Sequence, residues 1–403
     1  MIEEVPIYPK SSEPTKIINT FFDYALKIFV VLGTLFYLPT PARITDAYQA
    51  TEFGYASQEL FFRYGVIFLY GISMALIPKR QFKFNSGFVL MTFLIFISCF
   101  QGFDTQIRRQ VLNIFLGLAF YKMVVEHFEI RKIREFAGWF FWLLVANLVL
   151  CFFQEFKADP IFRHVNYDIV PVGETMVGFM KLKAHLGTMA AIVSPILLVL
   201  SPWLLLISLP LIYYSKASAA ALAFTLSLSM VAFLRMNKKV FAVILLVLVL
   251  AGGFYILKFD MPTGQFNQRL MMWHRTLAEG LTQGPFFGLS IGSFGRWAPQ
   301  SAQLTVEEKL TWIWAHNDLL QAFFEMGITG LVIILCFIRG RFRDFKKYSS
   351  IKDVQALFGC FVSILVVSFF HFPFHQGKTV GLCLFLMALF HARIAEEEKY
   401  EII

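Results

Sequence analysis

The stretch "WIWAHNDLLQAFFEMGITGL", residues 312–331, sets an imidazole at the mouth of an apolar segment. Behind His316 come Asp318, Gln321 and Glu325, whose spacings of three and four put them on one helix face. An imidazole with its ordinary pKa near 6.5 can take a proton at neutral pH, which is general-base chemistry. Glu325 lies about two turns inside the apolar segment, where a carboxylate must face protein or water; a helix–helix hydrogen bond is the structural alternative to a chemical role. Upstream, Arg269 opens "QRLMMWHRTLAEGL", which also carries Arg275. Its Leu270, Trp273, Leu277 and Leu281 recur at helical spacing, as in an amphipathic helix lying at a membrane surface. Cations there can hold an anion.

These groups must be positioned by a membrane protein. Of 403 residues 57% are hydrophobic and 16% charged, whereas soluble domains are about half apolar and a quarter charged. Repeated apolar stretches, each long enough to cross a bilayer, predict an all-α, polytopic single transmembrane domain over 1–403. About twelve spans are expected, near 18–38, 60–78, 84–100, 110–126, 136–154, 184–200, 202–214, 216–234, 239–257, 318–338, 354–372 and 378–394. The N-terminal "MIEEVPIYPKSSEPTK" has no small-residue cleavage site after the first apolar run, so a removed signal peptide is not expected. The five cysteines fall inside spans, and no Cys/His metal spacing is present.

Orientation follows from basic loops. "IPKRQFK", "IRKIREF", "RMNKK" and "RGRFRDFKKYSSIK" share one side with both termini, which makes that side cytoplasmic. The other side holds a shorter loop, 155–184, and a large loop, 258–317, that would carry the chemistry. Basic residues there, including Lys181, Lys183, Lys216, Arg269 and Arg275, are not topology anchors. A lipid-linked anion fits them and nucleic acid does not. In the large loop "TQGPFFGLSIGSFG" is a glycine-rich turn region, and "TVEEKLTWIWAHN" reads as a second interfacial helix. Trp273, Trp297, Trp312 and Trp314 read first as an aromatic belt among headgroups, with stacking on sugar faces as the functional alternative. Gly327 and Gly330 read as sites of close helix packing.

The combination "NQRLMMW…GPFFGLSIGSF…WAHNDLLQAFFEMGITGL" resembles the bacterial O-antigen ligase and O-antigen polymerase superfamily, which also includes protein-directed oligosaccharyltransferases. "HFPFHQGKTVGLCLFLMALF" and "YYSKASAAALAF" match more loosely. The resemblance implies a membrane-embedded, metal-independent glycosyltransferase of GT-C-like type in the bacterial inner membrane, with its site facing the periplasm and no cofactor. The donor would be a glycan on undecaprenyl diphosphate. The acceptor would be lipid A-core in a ligase or a second lipid-linked glycan in a polymerase, and membrane lipids would surround both. Carried over residue by residue, the catalytic histidine falls on His316 and the loop arginine on Arg269. Where the family often has Ser-Arg, this chain has Ser215-Lys216, which replaces a planar fork with a point charge. Lys216, Arg275 and Lys183 are candidates for holding the diphosphate. Asp318 or Glu325 would orient the His316 ring or the acceptor, and His371 would line the outer cavity. The pair His371 and His375 has i,i+4 spacing, but Pro373 between them argues against a zinc site.

The ten residues between His316 and Gly327 resemble a ligase spacing. Arg269 and Gly280 also have ten between them, in the manner of a polymerase, but Arg163 to Gly173 in the shorter loop has only nine, so ligase is favoured. A transporter or flippase would show repeated halves and polar groups at mid-membrane. No internal repeat is visible, and Asp23 and Lys27, an i,i+4 pair, stand nearer the inner end of span one. A purely structural scaffold would explain neither the outer cations nor His316.

Overall fold

A computed structural model describes residues 13–35, 47–76, 91–93, 95, 105–156, 178–180, 183–235, 263–295, 297, 315–375 and 377–401. Among them the regular elements are helices: α1 Glu13–Leu35, α2 Ala47–Ser73, α3 Thr105–His127, α4 Ile133–Glu155, α5 Lys183–Val193, α6 Ser208–Ser215, α7 Ser218–Arg235, α8 Thr263–Gln283, α9 Asp318–Tyr348, α10 Lys352–Phe370 and α11 Gly377–Glu401. Four stretches are long and apolar enough to cross a membrane: Ile130–Glu155, Asp318–Tyr348, Lys352–Phe370 and Thr379–Lys399. The expected span 239–257 and the predicted second interfacial helix up to Trp314 lie outside the described residues, as do most of the expected span 84–100 and of the loop 155–184.

Prolines decide where the expected spans break. The segment expected at 184–200 is α5 followed by a 3-10 helix, Ser194–Val199, because Pro195 has no N–H to continue an α-helix. The next begins as a second 3-10 helix, Pro202–Ile207, and becomes α-helical at α6. The short span seven is thus a bent helical strand instead of a straight crossing.

The last three helices fix the two ends of the molecule. Asn317 caps α9, its side chain accepting from the Leu320 N–H at 3.0 Å, and Asp318 adds negative charge to the first turn. The helix ends among Lys346 and Lys347. A short link leads to α10, which runs back to Phe370 and His371, and α11 descends again. Asp318, His371 and Pro373–His375 therefore share one end, and the basic run 339–352 lies at the other. At that basic end Arg341 pairs with Asp344 at 2.9 Å. Asp23 and Lys27 do not pair with each other. Both are buried, and they reach across to Lys132 and Glu135, tying α1 to the start of α4. Buried charges persist only when partnered, and α4 supplies the partners.

Between the ends the core is built on phenylalanine. Phe128, Phe136 and Phe385 meet with centroids 4.9–5.8 Å apart, and Phe345 stacks on Phe358 at 3.9 Å. With lipid as apolar as leucine, such helices associate by close packing, not by hydrophobic exclusion from water.

α9 is broken once. Gly327 has φ 65° and ψ −166°, and the glycine-rich turn after α8 takes over the hydrogen bonds that the helix loses there. Ile328 N donates to Pro285 O at 2.9 Å, Thr329 N to Phe286 O at 3.2 Å, and Leu289 N to Phe324 O at 2.9 Å. Non-helical backbone at membrane depth survives only where protein satisfies it in this way. Gly327 therefore breaks the helix to accept a loop; the expectation that it serves helix packing is corrected. Gly288, with φ +72°, approaches so closely that a Cβ would lie 2.3 Å from the Glu325 carbonyl carbon. Gly288→Ala combines that clash with a disfavoured φ, and the lost loop–helix junction is expected to cost about 2–4 kcal/mol. A drop in the detergent melting temperature with a clear loss of folded protein would show it; an unchanged melt would refute the junction's importance.

Candidate functional site

α8 lies against the first half of α9, and a small separate core forms under the large loop. Met272, Phe294, Ala315 and Phe324 are buried together, with Trp273, Leu289 and Trp297 packed on them. Trp273 Nε1 donates to the Ala315 carbonyl at 2.8 Å. Trp273 thus anchors the backbone beside His316, a more specific task than sitting in an aromatic belt. From the other side Ala315 N donates to Gln321 Oε1 at 3.2 Å, and Gln321 Nε2 donates to Glu325 Oε1 at 3.0 Å. The Glu325 carboxylate also accepts from the backbone of Gly292 and Phe294. Glu325 in this way anchors the glycine-rich turn, and Gln321 relays its position to the residue before His316.

The result is an imidazole held in an uncommon conformation. His316 has φ 50°, in the left-handed region, and its Nδ1 is buried with no hydrogen-bond partner among the described residues. A buried unpaired nitrogen costs about 1–3 kcal/mol, and left-handed backbone adds about 1 more. Costs of this kind persist where the surrounding structure over-determines them, and they mark candidate sites.

Around His316 the rings form a row. His316 and His371 lie parallel, 5° apart with centroids 6.2 Å apart, and His371 is 5.3 Å from His185 on α5. Phe372 sits edge-on to His316 at 4.7 Å. Arg269, on α8, reaches the same place: its Nη1 donates to the Phe370 carbonyl at 3.2 Å. The two leading sequence candidates, His316 and Arg269, are therefore brought together around Phe370–Phe372.

The electrostatics differ from the sequence expectation in a way that matters. Burial, and then the Arg269 charge, push the His316 pKa down to about 3 instead of near 6.5. Burial lowers His371 well below its usual value too, with His185, His316 and Arg269 adding to the effect. Burial also lowers Arg269, which nevertheless keeps its charge at neutral pH. This half of the site is a fixed cation beside neutral rings.

Asp318 does something the sequence did not suggest. Its Oδ1 lies 2.8 Å from His375 Nδ1, not against His316. Burial opposes protonation of His375, but the bond to Asp318 and the charges of Asp318 and Glu325 outweigh it, and the pKa rises. No local pattern signals this contact: His375 stands 57 residues from Asp318, and the spacing visible in the sequence is the one to His371. Glu325 likewise orients the loop and, through Gln321, the backbone before His316, in place of the ring itself.

The remaining candidates are more peripheral. Lys216 is exposed, caps α6 in the left-handed region at φ 50°, and follows Ser215, whose side chain packs on Gly187 of α5. That packing places it at the same end as His185. Arg275 is half-buried on α8, two residues past Trp273. Lys183 begins α5.

Residues 202–335 match the family model for O-antigen ligase. The resemblance to the O-antigen ligase and polymerase superfamily holds. The matched segment is about a third of the chain and runs from the bent helical strand through the break in α9. It holds Lys216, Arg269, Arg275, His316, Asp318 and Glu325; His185, His371 and His375 lie outside it. The chain is also similar to a candidate polysaccharide ligase of Rickettsia felis, 22% identical over 125 residues, which is 30% of this chain and 30% of that protein. The O-antigen ligase match and that relative both concern glycan-joining proteins, and four helices fit to cross a membrane accompany them.

Proposed function

We propose that the chain is a glycosyltransferase of the inner membrane. It moves a glycan from undecaprenyl diphosphate to an acceptor hydroxyl, with lipid A-core the favoured acceptor, at the periplasmic end that holds His316. The reading rests chiefly on one observation: a buried imidazole nitrogen, without a partner among the described residues, in left-handed backbone, within the field of Arg269, inside the segment that matches O-antigen ligase.

The chemistry is a single displacement. The acceptor oxygen forms a bond to the anomeric carbon as the bond from that carbon to the diphosphate oxygen breaks. The acceptor proton passes to His316, and the electron pair leaves on the diphosphate beside Arg269. One displacement inverts the anomeric centre and needs no pair of catalytic carboxylates. Arg269 supplies positive charge where negative charge develops, in a site poor in water, the setting in which such stabilisation is strongest. Lys216 and Arg275 extend that charge towards the donor, Lys183 at the start of α5 is a further candidate for the diphosphate, and His371 stands beside the base.

Donor binding also prepares the base. Before the donor binds, burial and then the cation keep His316 a weak base. A diphosphate offsets Arg269 and raises the affinity of the imidazole for a proton, so that the base strengthens when the leaving group is in place. The name of the matched family and that of the relative favour ligase over polymerase.

Reconstitution tests this. Purified protein in liposomes receives undecaprenyl-diphosphate glycan with or without lipid A-core. Glycan on the core is the expected product, unchanged by a chelator. A ladder of longer lipid-linked chains would make the protein a polymerase, and no product from either acceptor would end the reading.

A further inference from the structure

The Asp318–His375 pair is not used by the displacement just described. Asp318 is buried, at 8% exposure, and its two carboxylate oxygens differ. Oδ1 is held by His375 Nδ1 at 2.8 Å, while Oδ2 is buried with no hydrogen-bond partner among the described residues. The His375 backbone is itself fixed: its main-chain N–H donates to the Phe372 carbonyl at 3.1 Å, and Thr379 Oγ1 donates to Pro373 O at 2.7 Å, clamping the short 3-10 helix Pro373–His375 to α11. Asp318 stands two residues beyond His316, at the first turn of α9, where the helix dipole favours an anion. A carboxylate held by one oxygen, with the other left unsatisfied, costs stability unless something donates to it. A sugar hydroxyl is such a donor, and a positioned carboxylate is a strong acceptor for it.

We propose that Asp318 Oδ2 is a subsite for a hydroxyl of the incoming acceptor glycan, and that His375 is the positioning residue that aims it by holding Oδ1. The inference rests on the glycosyltransferase reading and adds to it the group that grips the acceptor. Donor-side cations and acceptor-side anion then divide the site: Arg269 on α8 faces the diphosphate, and the Asp318–His375 pair faces the alcohol. No covalent step is assigned to the pair. Asp318 accepts a hydrogen bond, while the proton released in the reaction goes to His316.

Asparagine carries an amide N–H close to where Nδ1–H lies, so His375→Asn can keep the bond to Oδ1, whereas His375→Ala cannot. In the liposome assay, with lipid A-core (or the second lipid-linked glycan, if wild type uses that), His375→Ala is expected to raise the acceptor KM about tenfold. The donor KM should stay within twofold, and His375→Asn should recover most of the loss. Asp318→Asn, which keeps the size of the side chain, should raise the acceptor KM similarly and should not be improved by adding His375→Asn. If His375→Ala fails to fold, the asparagine variants decide alone. Equal loss for donor and acceptor, or an acceptor KM unchanged in Asp318→Asn, would overturn the subsite. Wild type inactive on every acceptor would instead overturn the glycosyltransferase reading itself.

Discussion

Alanine at position 316 is expected to lower turnover about 10²–10⁴-fold while leaving donor binding within twofold, because a general base acts on the step and not on the binding of the leaving group. His316→Asn provides the control for folding. Asparagine tolerates left-handed backbone about as well as histidine, so the φ of 50° at this site is preserved while the base is lost. Both variants should melt close to wild type in detergent and both should be nearly inactive. Turnover within threefold of wild type in either would remove His316 from the reaction. A melt lowered only in the alanine variant would instead show that its loss of activity reflects backbone strain.

The pH dependence carries the same claim with a definite sign. A histidine whose folded pKa is depressed to about 3 remains neutral as pH falls through 6.5. The acid limb from His316 in kcat/KM, which reports the free enzyme, is therefore expected below about pH 4. In kcat, which reports the donor complex, the limb should appear at higher pH, since the diphosphate offsets Arg269. Coincident limbs near 6.5 would mean that the imidazole is solvated and unaffected by its neighbour.

How much of this could be read beforehand depends on the length scale of the signal. Helices ruled by apolar runs were legible: the expected spans at 136–154, 354–372 and 378–394 became Ile133–Glu155, Lys352–Phe370 and Gly377–Glu401. The expected 318–338 proved short by nearly three turns, since α9 continues to Tyr348 through a polar, basic stretch that hydropathy alone cuts off. The 3-10 helices that start at Ser194 and Pro202 were not legible, because apolar runs report length and not which residue lacks an N–H. The pocket was half legible. His316 and Arg269 each carried chemistry in its side chain, and they meet because both reach the segment Phe370–Phe372. The Asp318–His375 contact, the row of three imidazoles and the handover of α9 hydrogen bonds at Gly327 are long-range facts. Glycine spacing marked Gly327 as special without saying why: a helix that packs closely and a helix that opens to receive a loop both require a missing side chain.

Arg269 offers the second large effect, and it separates two roles of one charge. Arg269→Ala is expected to lower kcat/KM for the lipid-linked donor about 10²–10³-fold, roughly 3–4 kcal/mol, as when one preorganised donor to a developing anion is removed. Arg269→Lys should recover part of this. It restores the point charge but not the fork that both reaches Phe370 O and faces the site. Removing the charge should also free His316. The largest cause of its low pKa is burial, which the substitution leaves, and the second is Arg269, which it takes away. In Arg269→Gln the His316 acid limb in kcat/KM should therefore move up from about pH 3 without reaching 6.5, even though the rate is lower throughout. A carbon-13 titration of the labelled imidazole gives the same shift without turnover. A lower rate with an unmoved His316 titration would show that the two groups do not share a field, and the coupling of donor binding to base strength would fall with it.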